Sequence, residues 1–140
     1  MDEVPCKLAR IVGTVAQAMR TNFVAVAPED TLGETAQKMV EAKTGSVAVL
    51  DYGRLIGILT ERDMLKAMAG RVLTSDARAR EWMTADPITA TPDTSLEDAQ
   101  ATMLENGFRH LPVMDGSQLV GIVSLRRCVA AMQGVPLEQT

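Results

Sequence analysis

The stretch Gly57-Ile58-Leu59-Thr60-Glu61-Arg62-Asp63 occurs a second time in the chain, as Gly121-Ile122-Val123-Ser124-Leu125-Arg126-Arg127. Each copy reads as a buried strand that ends at a hydroxyl residue and continues directly into a helix. A helix N-terminus beside a hydroxyl group is a natural site for an anionic or polyhydroxy ligand, because its first backbone N–H groups have no partner within the helix. The last position differs in charge between the copies, since Asp63 corresponds to Arg127.

The duplication extends well beyond this stretch. A shift of 64 positions, as from Met19 to Met83, aligns prolines, glycines and apolar residues along the chain without a gap. Such a match predicts two repeats of one structural unit. The aligned pairs include Pro28 with Pro92, Leu32 with Leu96, Met39 with Met103, Asp51 with Asp115, Leu55 with Leu119 and Gly70 with Gly134.

Each repeat predicts the element order β-α-β-β-α, preceded by a short helical turn. The first long helix starts at a Ser or Thr cap with an acid three residues on, and the last helix is followed by a glycine. The expected positions are helical turns at 15–19 and 79–83, first strands at 23–26 and 88–90, helices starting after Thr31 and Ser95, hairpins at 47–59 and 111–123, and C-cap glycines at Gly70 and Gly134.

Composition limits the class of protein. The chain has 140 residues, of which 46% are hydrophobic, enough for a packed core. A net charge of −4 without any run of Lys or Arg argues against nucleic-acid binding through phosphate contacts. No apolar segment approaches the roughly 18 residues of a membrane span, and no signal peptide is visible. Cys6 and Cys128 lack metal-ligand spacing, so we expect reduced thiols in a cytoplasmic protein.

A single repeat is too small to bury both its sheet face and its helix face. Two copies can cover each other by packing sheet against sheet around a pseudo-two-fold axis. The sequence therefore predicts an α+β fold (α/β in its alternation of helices and strands). This packing would create two equivalent clefts, each between the strand-to-helix corner of one repeat and the first strand of the other.

The element order, its duplication and the Gly-hydrophobic-hydrophobic-Thr/Ser-x-x-Asp corner resemble the cystathionine-β-synthase (CBS) domain pair, or Bateman module. The segments Met83-Thr84, Thr91-Pro92 and Arg109-His110-Leu111-Pro112 also carry the resemblance. It covers residues 12–132 and implies the following division: a first CBS repeat at 12–70, a linker at 71–78, a second repeat at 79–134, and terminal segments at 1–11 and 135–140.

The resemblance implies a regulatory protein that binds AMP, ADP, ATP or S-adenosylmethionine in an inter-repeat cleft. The corner acid would hold the ribose, because a carboxylate accepts from both vicinal hydroxyls, and basic side chains would reach the phosphates. The better cleft is expected to use Thr60, Asp63, Ile88, Thr89, Phe108, Arg109, His110, Pro112 and Arg126.

The second cleft lacks the ribose-binding acid, because Arg127 stands in its place and can only donate hydrogen bonds. We therefore expect one working site per chain. Either the second cleft is empty, or Arg127 contacts the phosphates of a ligand held elsewhere. The residues expected around this cleft are Val24, Ala25, Gly45, Ser46, Ala48, Ser124 and Arg127.

Structural roles compete with these binding roles. Asp63 is also a favourable acid for a first helical turn, and Thr60 is a favourable helix cap. His110 fits a partly buried structural histidine as well as it fits a phosphate contact. Phe108 fits the core better than an adenine platform, and Arg109 also fits a solvated charge.

The function that the resemblance implies is a non-enzymatic ligand sensor without a required cofactor or metal. It would signal by a conformational or oligomeric change to an unidentified target protein, and would form a homodimer in the shape of a CBS disk, without nucleic acid or membrane. The alternative is an interaction or dimerisation module with vestigial clefts. No nucleophile–base pair, metal set or phosphate-binding glycine loop in the sequence indicates an enzyme.

Overall fold

The computed structural model describes residues 13–137, which form two compact units. The first, here called the contiguous unit, is Asn22–Pro87. The second, called the split unit, combines residues 13–21 with residues 88–137. The thiol predicted at Cys6 lies outside the described residues, as do most of the predicted N-terminal segment and the end of the C-terminal one.

The contiguous unit contains β1 Ala25–Val26, α1 Leu32–Ala42, β2 Ser46–Asp51, β3 Arg54–Thr60, α2 Glu61–Ala69, α3 Ala79–Trp82 and β4 Thr84–Ala85. Its strands form one sheet in the order β1-β2-β3-β4. The β1–β2 pair is parallel, and the β2–β3 and β3–β4 pairs are antiparallel. The predicted hairpin is therefore confirmed as β2–β3, and the short β4 was not predicted.

The split unit contains a 3₁₀ turn at Val15–Gln17, α4 Leu96–Asn106, β5 His110–Asp115, β6 Gln118–Ser124 and α5 Leu125–Met132. β5 and β6 form the second predicted hairpin. On one edge Ala90 bridges to Val113 in parallel, and on the other Arg20 bridges to Ile122 in antiparallel fashion. The split unit thus repeats the four-position arrangement of the contiguous sheet, which confirms the mixed α+β class with two sheets.

The first strand predicted for the second repeat is wrong except at one residue, because only Ala90 forms a bridge. In the contiguous unit the Ala48 N–H donates to the Val24 carbonyl at 2.9 Å and extends the parallel pairing. The equivalent position in the split unit is Pro112, which has no N–H to donate to Ile88. The missing donor accounts for the shortened pairing.

Each unit is completed by the opening segment of the other repeat. In the split unit Arg20, which precedes the first repeat's strands, pairs with Ile122 of β6. In the contiguous unit Thr84, which belongs to the second repeat, pairs with Ile58 of β3. These two contacts are equivalent under the repeat offset. The compact units therefore do not coincide with the segments that repeat in the sequence.

Two glycines of the repeated stretch make room for these opening segments. A Cβ atom on Gly57 would collide with the Met83 side chain. A Cβ atom on Gly121 would lie 2.8 Å from the Met19 Sδ and 3.0 Å from the Arg20 carbonyl oxygen, too close for any side chain. The alignment of glycine with glycine and methionine with methionine in the sequence reflects this shared packing.

Both long helices start at their predicted caps. The Thr31 Oγ1 accepts from the Glu34 N–H at 3.1 Å, and the Ser95 Oγ accepts from the Asp98 N–H at 3.0 Å. In return, the Thr31 N–H donates to the Glu34 Oε1 at 2.9 Å, and this hydrogen bond lowers the pKa of the Glu34 carboxyl. The reciprocal pair satisfies two helix-terminal donors at the start of α1.

Gly33, in the first turn of α1, is hydrogen-bonded to the linker. Its N–H donates to the Thr74 carbonyl at 2.9 Å, and the Leu32 N–H donates to the Ala77 carbonyl at 2.9 Å. A Cβ atom on Gly33 would lie 3.4 Å from the same Thr74 oxygen, an ordinary van der Waals contact, so the space there does not require glycine. The linker carbonyls thus satisfy first-turn donors of α1 that have no partner within the helix.

Left-handed backbone occurs at unexpected residues. The turn between β2 and β3 places Tyr52 at φ 52°, whereas its equivalent in the second hairpin is Gly116 at φ 63°. Gly70 is the C-cap of α2, as predicted, but its φ is −77°, and the left-handed residue is Arg71 at φ 59°. Gly134 has the left-handed φ of 73° typical of a glycine after a helix.

Each unit has its own apolar core. The buried Met39 and Met103 belong to these cores, where methionine's flexible side chain fills irregular gaps. Burial raises the pKa of the Cys128 thiol, which donates to the Leu96 carbonyl at 3.0 Å. No helix among residues 13–137 is both long enough and apolar enough to span a bilayer.

Candidate functional site

The repeated stretch in the contiguous unit forms a tight corner at Thr60, where β3 ends and α2 begins. Thr60 is extended and caps α2, its Oγ1 accepting from the Asp63 N–H at 3.5 Å. The Asp63 Oδ2 accepts in return from the Thr60 N–H at 2.9 Å and from the Thr60 hydroxyl at 3.1 Å. The capping role expected for Thr60 is therefore confirmed, and Asp63 takes part in it.

Asp63 is only 8% exposed, yet one of its oxygens stays available. Within residues 13–137, its carboxylate accepts hydrogen bonds at Oδ2 alone, and no buried side-chain oxygen there lacks a partner. The Oδ1 atom must therefore still reach solvent. The corner thus presents an acceptor oxygen on a carboxylate whose orientation is already fixed, which suits a hydroxyl-rich ligand.

The second copy of the stretch forms an equivalent corner in the split unit. Ser124 caps α5, and its Oγ accepts from the Arg127 N–H at 3.1 Å. The Arg127 Nε donates to the Ala18 carbonyl at 2.7 Å. Burial, followed by the charge of Arg20, lowers the pKa of the Arg127 guanidinium. Arg127 thus connects α5 to the opening segment 13–21, a contact that the sequence analysis did not predict.

Four residues predicted for the better cleft have exposed side chains in the split unit. They are Ile88, Thr89, Arg109 and Arg126. The Arg109 carbonyl accepts from the Leu125 N–H at 2.8 Å, so its backbone is fixed at the start of α5. The two arginines and the threonine can therefore reach solvent from well-defined positions.

The other three predicted residues of the split unit are more buried. Phe108 packs against the apolar core, which supports the core role weighed for it above. Pro112 is buried within β5. His110 is half-buried at the first position of β5, opposite Ser124. Of these three residues, only His110 has a polar side chain that could contact a phosphate.

The residues predicted for the second cleft lie mostly along β1 and β2 of the contiguous unit. Ala25 pairs with the buried Ala48, and Val24 extends that pairing through its carbonyl. The Gly45 carbonyl accepts from the first N–H of α2 at 3.0 Å. Ser46 is buried and lies directly opposite Thr60 in the β2–β3 ladder.

Within each unit, the structure brings together residues that the sequence assigned to different clefts. Ser46 adjoins Thr60 in the contiguous unit, just as His110 adjoins Ser124 in the split unit. Ser46 and His110 occupy equivalent positions of the two repeats. The register of the two hairpins predicts that Ser46 lies opposite Thr60 and His110 opposite Ser124. The sequence analysis did not use this register when it divided the residues between two clefts.

The two corners offer different chemistry. The contiguous unit presents the Asp63 Oδ1 oxygen beside the Thr60 hydroxyl, which together suit a polyhydroxy or nucleoside ligand. The split unit presents a hydroxyl and a guanidinium already bonded to a carbonyl. In the described part of the chain, no group of three or more His, Cys, Asp or Glu is placed to hold a metal ion.

Comparison with known proteins places this geometry in a family. The family model described as CBS domain matches the chain twice, at residues 12–70 and 79–134. An uncharacterized 17.7 kDa protein of Acidianus ambivalens is 41% identical over 123 residues, a match that covers 86% of this chain and 74% of that protein.

Solved structures show the same fold. A CBS-domain-containing protein from Agrobacterium tumefaciens matches with a TM-score of 0.80 at 29% identity, over 86% of this chain and 94% of its own. The protein CBSX2, solved in complex with AMP, matches with a TM-score of 0.72 at 28% identity, over 86% of this chain and 96% of its own.

Proposed function

Because this chain belongs to the CBS domain family and carries the domain twice, we propose that it is a regulatory protein that binds an adenosine-containing ligand at the Thr60–Asp63 corner. The AMP complex of its structural relative CBSX2 supports this class of ligand. AMP, ADP, ATP and S-adenosylmethionine share the ribose with two vicinal hydroxyls. The proposal assigns that ribose to the corner and leaves the choice among the four to experiment.

The observation that carries the proposal is the Asp63 carboxylate. Its Oδ2 is held by Thr60, so the side chain loses little conformational freedom when a ligand binds. Its Oδ1 is the oxygen that would accept from the ribose. The remaining contacts stay proposals from the family pattern: Ile88, Thr89, Phe108 and Pro112 for adenine, and Arg109, His110 and Arg126 for phosphate.

We also propose one ligand per chain. The Ser124–Arg127 corner has no carboxylate, and the Arg127 Nε is engaged by the Ala18 carbonyl. A guanidinium in that position offers no acceptor to a ribose. Isothermal titration should therefore give one ligand bound per chain, and a value of two would contradict the assignment.

A thermal-shift series with AMP, ADP, ATP and S-adenosylmethionine tests the proposal on the wild type and Asp63→Asn. Asparagine keeps an oxygen for the Thr60 N–H but puts an NH₂ donor where Oδ1 was. A ligand at 100 times its Kd should raise the wild-type free energy of unfolding by about 2.7 kcal/mol. In Asp63→Asn we expect binding to be weaker by at least about tenfold, since a hydrogen bond to a charged group contributes about 1.5–3 kcal/mol.

The matched control is Glu61→Gln, which removes another acid from the same helical turn. It should keep the ligand shift, because Glu61 is exposed and takes no part in the Thr60–Asp63 pair. An equal loss of the shift in both variants would point to a general charge effect. The absence of a shift with all four ligands would refute the proposed function.

An interaction module is the second candidate, and one observation favours it. Large apolar side chains on α1 and α2 are exposed: Val40 at 76%, Leu65 at 64% and Met68 at 72%. We propose that these helices contribute to a homodimer. Light scattering should give a dimer mass for the wild type and a monomer mass for Leu65→Glu with Met68→Glu. A dimer without any nucleotide response would favour this second candidate over ligand sensing.

A further inference from the structure

A groove of about 750 Å³ lies in the contiguous unit at the hairpin end of β2 and β3. Thr60 and its corner lie at the opposite end of the same two strands, because Ser46 pairs with Thr60 and Asp51 pairs with Arg54. The groove is therefore separate from the corner assigned to the nucleotide. Half-buried apolar side chains line it, namely Pro28, Leu50, Ile56 and Met83.

The rim of the groove carries excess negative charge. Glu29, Asp51 and Glu81 contribute three carboxylates against the single guanidinium of Arg80. The Arg80 Nε lies 2.7 Å from the Glu29 Oε2, so that pair is already neutralised. Among residues 13–137, Asp51 forms no side-chain hydrogen bond or ion pair. The exposed Arg54 lies opposite Asp51 in the β2–β3 ladder but forms no ion pair with it, so the Asp51 carboxylate is open to a cation.

Tyr52 adds an aromatic ring to this rim. Its side chain is 99% exposed, and its backbone adopts the left-handed φ of 52° that favours glycine. The equivalent residue of the second repeat is Gly116, in the corresponding turn of the second hairpin. Packing within the unit does not explain a tyrosine at this position, because its ring is almost wholly in solvent.

We propose that this groove docks a basic peptide segment of a partner protein. An arginine or lysine of that segment would place its cationic end between the Asp51 carboxylate and the face of the Tyr52 ring. The aliphatic part of the same side chain would lie on Ile56 and Met83, as long cationic side chains do on apolar surfaces. The chain's net charge of −4 also favours a basic partner.

The second repeat lacks these rim groups. Its equivalents of Tyr52, Arg80 and Glu81 are Gly116, Ala16 and Gln17. The apolar lining is conserved in type, since Met114 and Val120 correspond to Leu50 and Ile56. The internal duplicate therefore provides a natural comparison in which the same lining occurs without the aromatic ring and without one of the acids.

The test uses ¹⁵N-labelled full-length chain and the peptide acetyl-Ala-Arg-Leu-Arg-Ala-amide, followed by amide chemical shifts at low salt. We expect shifts at Glu29, Tyr52 and Met83, and none with the matched peptide that has Glu in place of Arg. Tyr52→Gly should weaken binding about two- to five-fold, the range of an exposed cation–π contact. This variant should fold normally, because φ 52° suits glycine.

Asp51→Asn should weaken binding, whereas Asp115→Asn, the same change in the second hairpin, should not. Asp63→Asn should bind the peptide as the wild type does, so a failure of the nucleotide proposal leaves this test intact. Equal binding of both peptides, shifts spread over the acidic surface, or wild-type affinity in both Tyr52→Gly and Asp51→Asn would overturn the proposal.

Discussion

Asp63 and Arg127 occupy the same position of the two repeats, the third residue of the helix that follows a buried strand. Asp63 turns back onto Thr60 and stays within its own corner. Arg127 instead reaches the Ala18 carbonyl at 2.7 Å. One change of residue in a duplicated corner has therefore produced a capping acid in one unit and a link between distant segments in the other.

Replacing Arg127 by alanine should destabilise the protein by about 1–3 kcal/mol, because the buried Ala18 would lose a charged donor to its carbonyl. Urea unfolding measures the difference. The control is Arg126→Ala on the same helix, which is exposed and should change stability by less than about 0.5 kcal/mol. Equal effects of the two substitutions would show that the Ala18 contact adds no stability.

At the scale of the element, the strand that leads into each corner is packed closely against an opening segment. β3 carries Gly57 beneath Met83, and β6 carries Gly121 beneath Met19. In both units the short opening segment lies against the second strand of the hairpin, β3 or β6, through this contact. The glycine is needed here for space, since any Cβ atom would meet the methionine.

Gly57→Ala should lower the free energy of unfolding by about 1–3 kcal/mol through overpacking against Met83. The double variant with Met83→Ala should be less destabilised than the sum of the two single variants, because the shorter side chain removes part of the clash. A double-mutant cycle from thermal or urea unfolding measures this coupling. Additive effects would mean that the methionine is not the limiting contact.

Most elements were predictable because their signals are local. Thr31 and Ser95 start helices through side-chain bonds to residues three positions away. The truncated first strand of the second repeat was also predictable in principle, since Pro112 cannot donate where Ala48 does. The hydrogen bond from the Gly33 N–H to the Thr74 carbonyl was not predictable, because it depends on the path of the linker.

At the scale of the whole molecule, the pairing of segments could not be predicted from the repeat alone. Similarity between two copies shows that their parts are alike, but not which copy's opening segment joins which sheet. Arg20 pairs with Ile122, far along the chain. It does not pair with Ile58, which is the equivalent of Ile122 in the first repeat. The Arg127–Ala18 bond follows from the same choice. The candidate corner, in contrast, was predictable because Thr60 and Asp63 are neighbours in sequence.

A pair of fragments tests this arrangement. The fragment 22–87 contains the whole contiguous unit and should show a cooperative thermal transition by far-ultraviolet circular dichroism. The fragment 12–78 follows the repeat and its linker, but it lacks α3 and β4 and carries a segment that belongs to the split unit. It should have less helix and unfold gradually. Similar transitions in both fragments would contradict the exchange of opening segments.

The split unit also has a consequence for synthesis on the ribosome. The contiguous unit can close once Pro87 has left the exit tunnel, whereas residues 13–21 emerge earlier and wait for β6. At about 5–20 residues per second, the roughly 100 residues between Arg20 and Ile122 take on the order of 5–20 s to translate. The earliest of the described segments to be translated is thus among the last to reach its place in the fold.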